Sequence, residues 1–151
     1  MFIKPIDDQQ SFERGIALLK ASGLPVGDLK LGETYLIGCY DEEGTLLGTG
    51  GLEFYNSFAL MRSIAVDPNH KGNAIGKKII NNLIANAKSK SIREVYLLTE
   101  TARSYFLRIG FADIERDKVP AEIKRSTEFD SVCPVSAVCM VYKLSNSINE
   151  K

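Results

Sequence analysis

The segment Arg62–Lys77 contains residue types that together can bind an anion. An apolar, β-branched run, Ile64-Ala-Val66, stops at Asp67-Pro68, a short loop containing Gly72 follows, and Gly76 opens a helical pattern. At a helix start the unpaired backbone N–H groups and the positive end of the helix dipole point at one place. The sequence therefore predicts a site for a phosphate group.

Two common phosphate motifs do not fit this segment. The ATP-binding P-loop, G-x-x-x-x-G-K-[ST], needs one more residue between Gly72 and Gly76, and it needs a hydroxyl where this chain has Lys78. The dinucleotide fingerprint G-x-G-x-x-G is also absent after this strand. The phosphate ligand is therefore predicted to belong to another class.

The segment resembles the acetyl-CoA loop of the GNAT N-acetyltransferases. The pattern of that family is [Q/R]-x-x-G-x-[G/A] after a strand ending in x-V-x-P, and this chain reads Lys71-Gly-Asn-Ala74-Ile-Gly76. Lys71 replaces Gln or Arg, and Ala74 replaces the first motif glycine. The downstream Gly-Phe of the family is present as Gly110-Phe111.

The resemblance implies acetyl-CoA as co-substrate, with no metal. The strand residues Ile64, Ala65 and Val66 would offer backbone groups to the pantetheine arm. The pyrophosphate would lie against Lys71, Gly72, Asn73, Ala74, Ile75, Gly76 and Lys77. Ala74 can supply a backbone N–H if its φ is negative, and the interpretation as a family loop depends on this condition. The alternative is a plain buried strand followed by a turn.

A general base is required, because an ammonium has no lone pair with which to attack a thioester. Glu53 is the first candidate, since it follows Gly50-Gly51 in a strand next to the proposed cofactor strand. Glu100 is the reserve candidate. The alternatives are a solvated glutamate on a strand face for Glu53 and a first-turn acid of a helix for Glu100.

The family often protonates the departing thiolate with a tyrosine four residues before the helix-terminal glycine. Phe106 occupies that position in this chain, and Tyr105 lies next to it. One residue along a helix rotates a side chain by about 100°. Tyr105 is therefore predicted mainly to pack against the cofactor, although it remains the candidate for the acid.

We assign substrate contacts to Arg62, Arg103 and Thr99. Either arginine could pair with a carboxylate or an oxyanion of the substrate. The alternative for both arginines is a surface salt bridge. His70, the single histidine, is predicted to be a solvated or phosphate-side residue rather than a catalyst.

Cys133 and Cys139 give a weak metal signal, because Pro134 and the strand pattern around it do not suit a zinc knuckle. Buried small apolar side chains are the preferred interpretation. From Tyr96 to Met140 the chain also resembles the arsenic-resistance branch of the acetyltransferases. That resemblance implies a small amino substrate, and an arsenic-binding thiol pair is left open.

The elements that position these residues follow from periodicity. A helix from Gly76 to about Lys90 has its apolar residues in one stripe, and a strand over Glu94–Leu98 follows it. A strand–helix–strand unit of this length predicts a parallel crossover. The other predicted strands are Phe2–Ile6, Thr34–Tyr40, Thr45–Tyr55, Phe58–Val66, Phe111–Ile114 and Ala137–Lys143. The other predicted helices run from Asp7 or Asp8 to about Ser22, over Leu24–Leu29, from Ala102 to Ile109, and over Pro120–Lys124.

These elements predict an α/β fold of the acyl-CoA N-acyltransferase type. Its central twisted sheet is mostly antiparallel, with a splayed parallel pair and flanking helices. A single domain is expected over 1–144, with a flexible tail over 145–151. The length of 151 residues, 44% hydrophobic, fits one packed domain.

Composition also limits partners and compartment. The net charge of +0 favours neither nucleic acid nor an anionic membrane, and no apolar run approaches a membrane span. The N-terminal residues show no signal layout, and three cysteines without CxxC spacing favour the cytoplasm.

The predicted function is transfer of acetyl from acetyl-CoA to a primary amine of a small, amino acid-like molecule, which includes an organoarsenical amino acid. The amine attacks directly in a ternary complex, and a homodimer is compatible with this activity. The alternatives are a CoA-binding sensor without catalysis and a protein N-terminal or lysine acetyltransferase. The sequence leaves the acceptor and the acyl chain open.

Overall fold

The computed structural model describes residues 1–72, 74–129 and 136–144. Within these ranges the strands are β1 Phe2–Pro5, β2 Tyr35–Tyr40, β3 Leu46–Tyr55, β4 Phe58–Val66, β5 Glu94–Thr99, β6 Ala112–Asp113 and β7 Val138–Lys143. The helices are α1 Gln9–Ala21, α2 Ile75–Ser89, α3 Arg103–Ile109 and α4 Ala121–Lys124. Short 3-10 turns lie at Pro68–His70 and Arg116–Lys118.

The strands form a seven-stranded sheet in the order β1-β2-β3-β4-β5-β7-β6. The pairs β1–β2, β2–β3, β5–β7 and β6–β7 are antiparallel, and β4–β5 is parallel. The parallel ladder runs from Phe58–Glu94 to Leu60–Tyr96. The predicted mixed fold, mostly antiparallel with one parallel pair, is confirmed.

The sequence explains why α1 begins where it does. Asp8 has an extended backbone, and its carboxylate accepts a hydrogen bond from the backbone N–H of Ser11 at 2.8 Å. This N-cap satisfies one of the donors that a helix start leaves unpaired. It holds the pKa of Asp8 below its usual value. The predicted capping by an aspartate at position 7 or 8 is confirmed for Asp8.

The apolar stripe of α2 is the face that the helix buries. Its members are Ile75, Ile79, Ile80, Leu83 and Ala87, with Ile84 half-buried, while Lys77, Asn81, Asn82 and Lys88 are exposed. This agrees with the predicted amphipathic pattern. The helix begins one residue earlier than predicted and ends at Ser89.

The glycines of β3 allow α2 and β4 to approach its backbone closely. A Cβ atom at Gly50 would lie 2.5 Å from Cγ2 of Ile79, and one at Gly48 would lie 2.9 Å from the carbonyl oxygen of Ala65. No larger residue fits without displacing its neighbours.

The chain divides into two compact units, each of which has its own packed residues. The first unit consists of Met1–Glu53 and Arg62–Leu83. Its α1 side is packed around the buried Leu19, Leu29 and Ala65. The second unit consists of Phe54–Met61 and the described residues from Ile84 onward. It contains a cluster of buried residues that are Leu60, Tyr96, Val119, Ile123, Cys139 and Val141.

Two expectations need a correction or a limit. The helical turn predicted over Leu24–Leu29 is not a helix, because the backbone there forms only a turn, in which Leu29 N–H donates to the Val26 carbonyl at 3.0 Å. The predicted tail over 145–151 lies outside the described residues. Over the part of the chain that the structure describes, no helix is both long and apolar enough to cross a bilayer.

Candidate active site

The loop between β4 and α2 begins with a turn that the sequence encodes. The Asp67 carboxylate accepts a hydrogen bond from Asn69 N–H at 2.9 Å, and Pro68 occupies the first position of the 3-10 turn. The backbone N–H of His70 donates to the Asp67 carbonyl at 2.9 Å. The turn thus fixes where the chain leaves β4 and enters the glycine segment.

Gly72 and Ala74 both adopt the left-handed backbone conformation. Gly72 has φ +92°, which glycine accepts without strain, and a Cβ there would have no atom within 4 Å. Ala74 has φ +61°. The condition of a negative φ at Ala74 is therefore not met: the loop imposes the conformation that a glycine would take more easily. The Ala74 carbonyl accepts from Lys78 N–H at 3.0 Å, inside the first turn of α2.

Positive charge surrounds the start of α2. Lys71, Lys77 and Lys78 are exposed and form no ion pair with another described residue. Exposed lysines this close along the chain to a helix N-terminus would suit a diphosphate. Asn73, predicted as a cofactor contact, lies outside the described residues.

Arg62, on β4, lies between two carboxylates that come from other segments of the chain. Its guanidinium donates from Nη2 to Asp28 Oδ1 at 2.8 Å, and Nη1 bonds both the second oxygen of Asp28 and Oε2 of Glu53, the latter at 3.1 Å. The side chain of Arg62 is 1% exposed, against 13% for Asp28 and 17% for Glu53. The guanidinium therefore lies behind two carboxylates that reach toward solvent.

This arrangement changes the role that the sequence suggests for Arg62. A substrate carboxylate would have to compete with Asp28, which binds the guanidinium through both oxygens. Arg62 holds the pKa of Asp28 below its usual value, chiefly through hydrogen bonding, although burial acts in the opposite direction. The substrate contact predicted for Arg62 remains a prediction.

Glu53 is held in place by this cluster. Besides Arg62, the Thr34 hydroxyl lies 3.4 Å from the same Oε2 atom. A carboxylate fixed by a buried cation and partly exposed is a suitable acceptor for a proton from a nearby water. The structure thus brings together Glu53 and Arg62 from the predicted set.

Asp28 is a residue that sequence reasoning missed. It lies in an irregular segment, 34 residues before Arg62. Leu24, Val26 and Leu29 pack in the cluster around Leu19 and Ala65, so the segment that carries Asp28 is held by apolar contacts. No local pattern in the sequence marks Asp28, because its partner lies on a distant strand.

The remaining predicted residues belong to the second unit. Thr99 Oγ1 accepts a hydrogen bond from Ala102 N–H at 3.0 Å, just before α3. Arg103 donates to both carboxylate oxygens of Asp113, with Nε at 2.9 and 3.0 Å, and both side chains are about half exposed. The surface salt bridge weighed as the alternative for Arg103 is therefore present, and Glu100 is exposed.

Two aromatic residues of α3 occupy the region predicted for the general acid. Phe106 is buried and packs edge-to-face with Tyr105 and with Phe111, each at 5.5 Å between ring centroids. Tyr105 is half-buried, and burial raises the pKa of its phenol. Tyr105 is therefore protonated at neutral pH.

Cys139 behaves as a small apolar residue in the second unit. It is buried in the cluster with Tyr96 and Ile123, and burial raises the pKa of its thiol. Cys133 lies outside the described residues. Among the described residues, no three His, Cys, Asp or Glu side chains are grouped as metal ligands.

Comparison with known families decides the classification. The model of the acetyltransferase (GNAT) family matches residues 8–111, which is more than half of the chain. This chain is a member of the GNAT acetyltransferase family.

Relatives and solved structures agree with that membership. The chain is 35% identical over 95 residues to an amino-acid acetyltransferase of Mycobacterium tuberculosis, covering 62% of this chain and 51% of that protein. The chain thus spans about half the length of this relative. A match to an amino-acid acetyltransferase of Vibrio atlanticus covers 54% of this chain and 19% of that protein, at 25% identity.

Two solved structures share the GNAT fold. N-acetylglutamate synthase from Neisseria gonorrhoeae, complexed with coenzyme A and N-acetyl-glutamate, superposes with a TM-score of 0.78 at 16% identity, covering 95% of this chain and 35% of that chain. A Mycobacterium tuberculosis protein solved in complex with CoA gives a TM-score of 0.76 at 22% identity, covering 95% of this chain and 99% of that chain.

Proposed function

We propose that this GNAT chain transfers the acetyl group of acetyl-CoA to the primary amine of a small molecule, with amino acids as the substrate class. The observation that supports it most strongly is that Arg62, which holds Glu53 and Asp28, lies on the strand that leads through Ile64–Val66 into the glycine loop. Glu53, the proposed proton acceptor, and the proposed anion loop belong to the same compact unit.

The loop residues would hold the cofactor. Gly72 and Ala74 take the left-handed turn, and Lys71, Lys77 and Lys78 supply positive charge for the pyrophosphate. The backbone of Ile64, Ala65 and Val66 is available to amide groups of the pantetheine arm in the proposed pose. When bound, acetyl-CoA supplies a thioester whose carbonyl carbon an amine can attack.

Glu53 would act on the acceptor amine. The carboxylate takes a proton from the ammonium, directly or through one water, and the free amine then has the lone pair that forms the amide bond. Arg62 keeps Glu53 in one orientation, and Asp28 keeps Arg62 in place. Tyr105, whose phenol has a pKa raised further by burial and so carries its proton at neutral pH like any tyrosine, remains the candidate for giving a proton to the leaving thiolate.

The choice of amino acids is supported by two relatives that this chain matches, both of which are amino-acid acetyltransferases. An organoarsenical amino acid belongs to the same proposal, because the C-terminal half resembles the arsenic-resistance branch. The proposal also includes action in the cytoplasm on a small molecule, with neither nucleic acid nor membrane as partner and with a homodimer as an allowed assembly. Neutral net charge and cysteine usage support it.

The test is a thiol-release assay with acetyl-CoA across a panel of amino acids, organoarsenical amino acids, simple amines and a lysine peptide. We expect turnover with one or more amino acids and a loss of kcat of about 10²–10⁴-fold in Glu53→Gln, with unchanged CoA affinity by calorimetry. Glu42→Gln, in the exposed β2–β3 turn, is the matched control and should keep full activity. No turnover with any amine by folded protein that binds CoA would contradict the proposal.

A CoA-binding sensor is the second candidate, and one observation favours it. The position where the family often has its tyrosine holds the buried Phe106 instead. For a sensor we expect tight CoA binding, no thiol release with the whole panel, and identical behaviour of Glu53→Gln. These results would separate the two candidates.

A further inference from the structure

Ser63 has an unusual backbone for a residue inside a strand. It lies in β4 between Arg62 and Ile64, yet its φ is +62°. The left-handed conformation costs a non-glycine residue free energy, and it persists only where the surroundings impose it. Asn56 and Ser91 share a positive φ, but both lie in turns. We call this left-handed residue within β4 the Ser63 kink. Contacts with the surrounding structure must hold it in that conformation.

The Thr49 hydroxyl is placed to hold it. Thr49 is 1% exposed, and its Oγ1 donates to the carbonyl oxygen of Ser63 at 2.9 Å. Its neighbours in β3 are Gly48, Gly50 and Gly51, and the first of them lets β4 come close: a Cβ at Gly48 would lie 2.9 Å from the Ala65 carbonyl oxygen. Thr49 is thus the one residue of Gly48–Gly51 that has a side chain, and its hydroxyl bonds the strained Ser63.

The kink sets the direction of the residues on either side of it. Side chains alternate along a regular strand, and a left-handed residue interrupts that alternation. Arg62 then reaches Asp28 and Glu53, and its Nε also donates to Ser63 Oγ at 3.3 Å. Without the kink, the guanidinium would leave the position from which it holds Glu53.

We propose that Thr49 is a positioning residue of the active site: its buried hydroxyl fixes the Ser63 kink in β4 and thereby aims Arg62 at Glu53. This inference rests on the proposed acetyl transfer, in which Glu53 is the base. Thr49 itself needs no contact with substrate or cofactor.

The main test compares Thr49→Val, which keeps the shape and removes the hydroxyl, with Thr49→Ser, which keeps the hydroxyl. We expect Thr49→Val to lower kcat about tenfold, which corresponds to about 1.4 kcal/mol, with the dissociation constant of CoA within about twofold of wild type. Thr49→Ser should retain most of the activity. Thr45→Val, on the exposed turn before β3, is the matched control.

A second arm removes the need for the hydroxyl. Glycine adopts a positive φ without support. Ser63→Gly also removes the Ser63 Oγ that accepts from Arg62 Nε, so Ser63→Gly itself is the reference, and adding Thr49→Val to it should leave its kcat within about twofold. Wild-type kcat in Thr49→Val would overturn the proposal. A tenfold fall in kcat on adding Thr49→Val to the Ser63→Gly variant would overturn it as well.

A structural readout separates this proposal from the proposed function. The ¹³Cα and ¹³Cβ shifts of Ser63 report its backbone conformation by NMR. We expect a left-handed signature in wild type and Thr49→Ser and its loss in Thr49→Val. If no amine is acetylated, these shifts still decide the role of Thr49, and an unchanged Ser63 in Thr49→Val would refute it.

Discussion

At the scale of single residues, the loop before α2 depends on backbone conformation more than on side-chain identity. Gly72 and Ala74 both have positive φ, although only the first is a glycine. The predicted anion site therefore includes a glycine, which adopts a positive φ without strain, and an alanine, for which a positive φ costs free energy. Substitutions at these two positions should have opposite effects.

Gly72→Glu should abolish CoA binding. The new side chain carries negative charge beside the proposed phosphates, and φ +92° strains any residue with a Cβ. Gly44→Glu is the control, because Gly44 has φ +85°, equally open space, and a place in the β2–β3 turn. Of these two variants, only Gly44→Glu should bind CoA when measured by calorimetry. Equal affinity in the two variants would refute the loop assignment.

Ala74→Gly should stabilise the loop. Glycine removes the left-handed penalty of about 1 kcal/mol, although it also gives more freedom to the unfolded chain. We expect a CoA affinity raised by a few-fold, measured by calorimetry, and no loss of unfolding free energy in urea. Weaker CoA binding by Ala74→Gly would show that the methyl group itself contributes to the site.

At the scale of elements, the glycines of β3 leave the space into which the buried side chains of α2 pack. Gly50→Ala would place Cβ 2.5 Å from Ile79 Cγ2 and 2.8 Å from Leu83 Cδ1, atoms of the buried face of α2. Overpacking of this kind should lower the unfolding free energy by about 1–3 kcal/mol. Urea unfolding measures it.

The same substitution elsewhere provides the control. At Gly15, inside α1, a Cβ would meet Ile6 and Thr49 at 3.6 and 3.7 Å, which is ordinary contact. Gly15→Ala should therefore stabilise by about 0.5–1 kcal/mol through helix propensity. If both variants were destabilised equally, the clash at Gly50 would not be the cause.

Periodic elements could be predicted from sequence, and irregular contacts could not. The apolar stripe of α2 and the capping Asp8 are local signals, so their positions were predictable to within a residue or so. The Asp28–Arg62 pair joins a loop to a strand across 34 residues, and no periodicity marks it. The positive φ of Ala74 and Ser63 arises because tertiary contacts override the local preference of the residue.

At the scale of the whole molecule, Asp28 links stability to pH. Its pKa in the folded state lies below its ordinary value because of hydrogen bonds from Arg62. A carboxylate with a lowered folded pKa contributes stability above its unfolded pKa, and this contribution is lost as pH falls through the folded pKa. The window therefore lies at and below the ordinary aspartate value of 3.8.

Asp28→Asn should remove this contribution. We expect it to lower the unfolding free energy at about pH 7 by about 1–3 kcal/mol, since a hydrogen-bonded partner of a buried guanidinium is weakened. The fall in unfolding free energy between about pH 7 and about pH 3 should also be smaller in Asp28→Asn than in wild type. Urea unfolding at about pH 7 and about pH 3 measures both effects.

The control for Asp28→Asn is Asp7→Asn, on the exposed surface just before α1. It should keep the wild-type difference between the two pH values. If Asp28→Asn lost as much unfolding free energy as wild type between the two pH values, Asp28 would not link stability to pH.

The two compact units are interleaved along the chain, and this has a consequence for synthesis. The first unit needs Arg62–Leu83 after an interruption, and the second begins at Phe54 but resumes only at Ile84. A ribosome therefore releases Phe58–Leu60 well before their ladder partners Glu94–Tyr96 exist. Chains truncated after Leu83 and released from the ribosome should expose this apolar strand to chaperones. No single protease cut can release either compact unit as one continuous fragment.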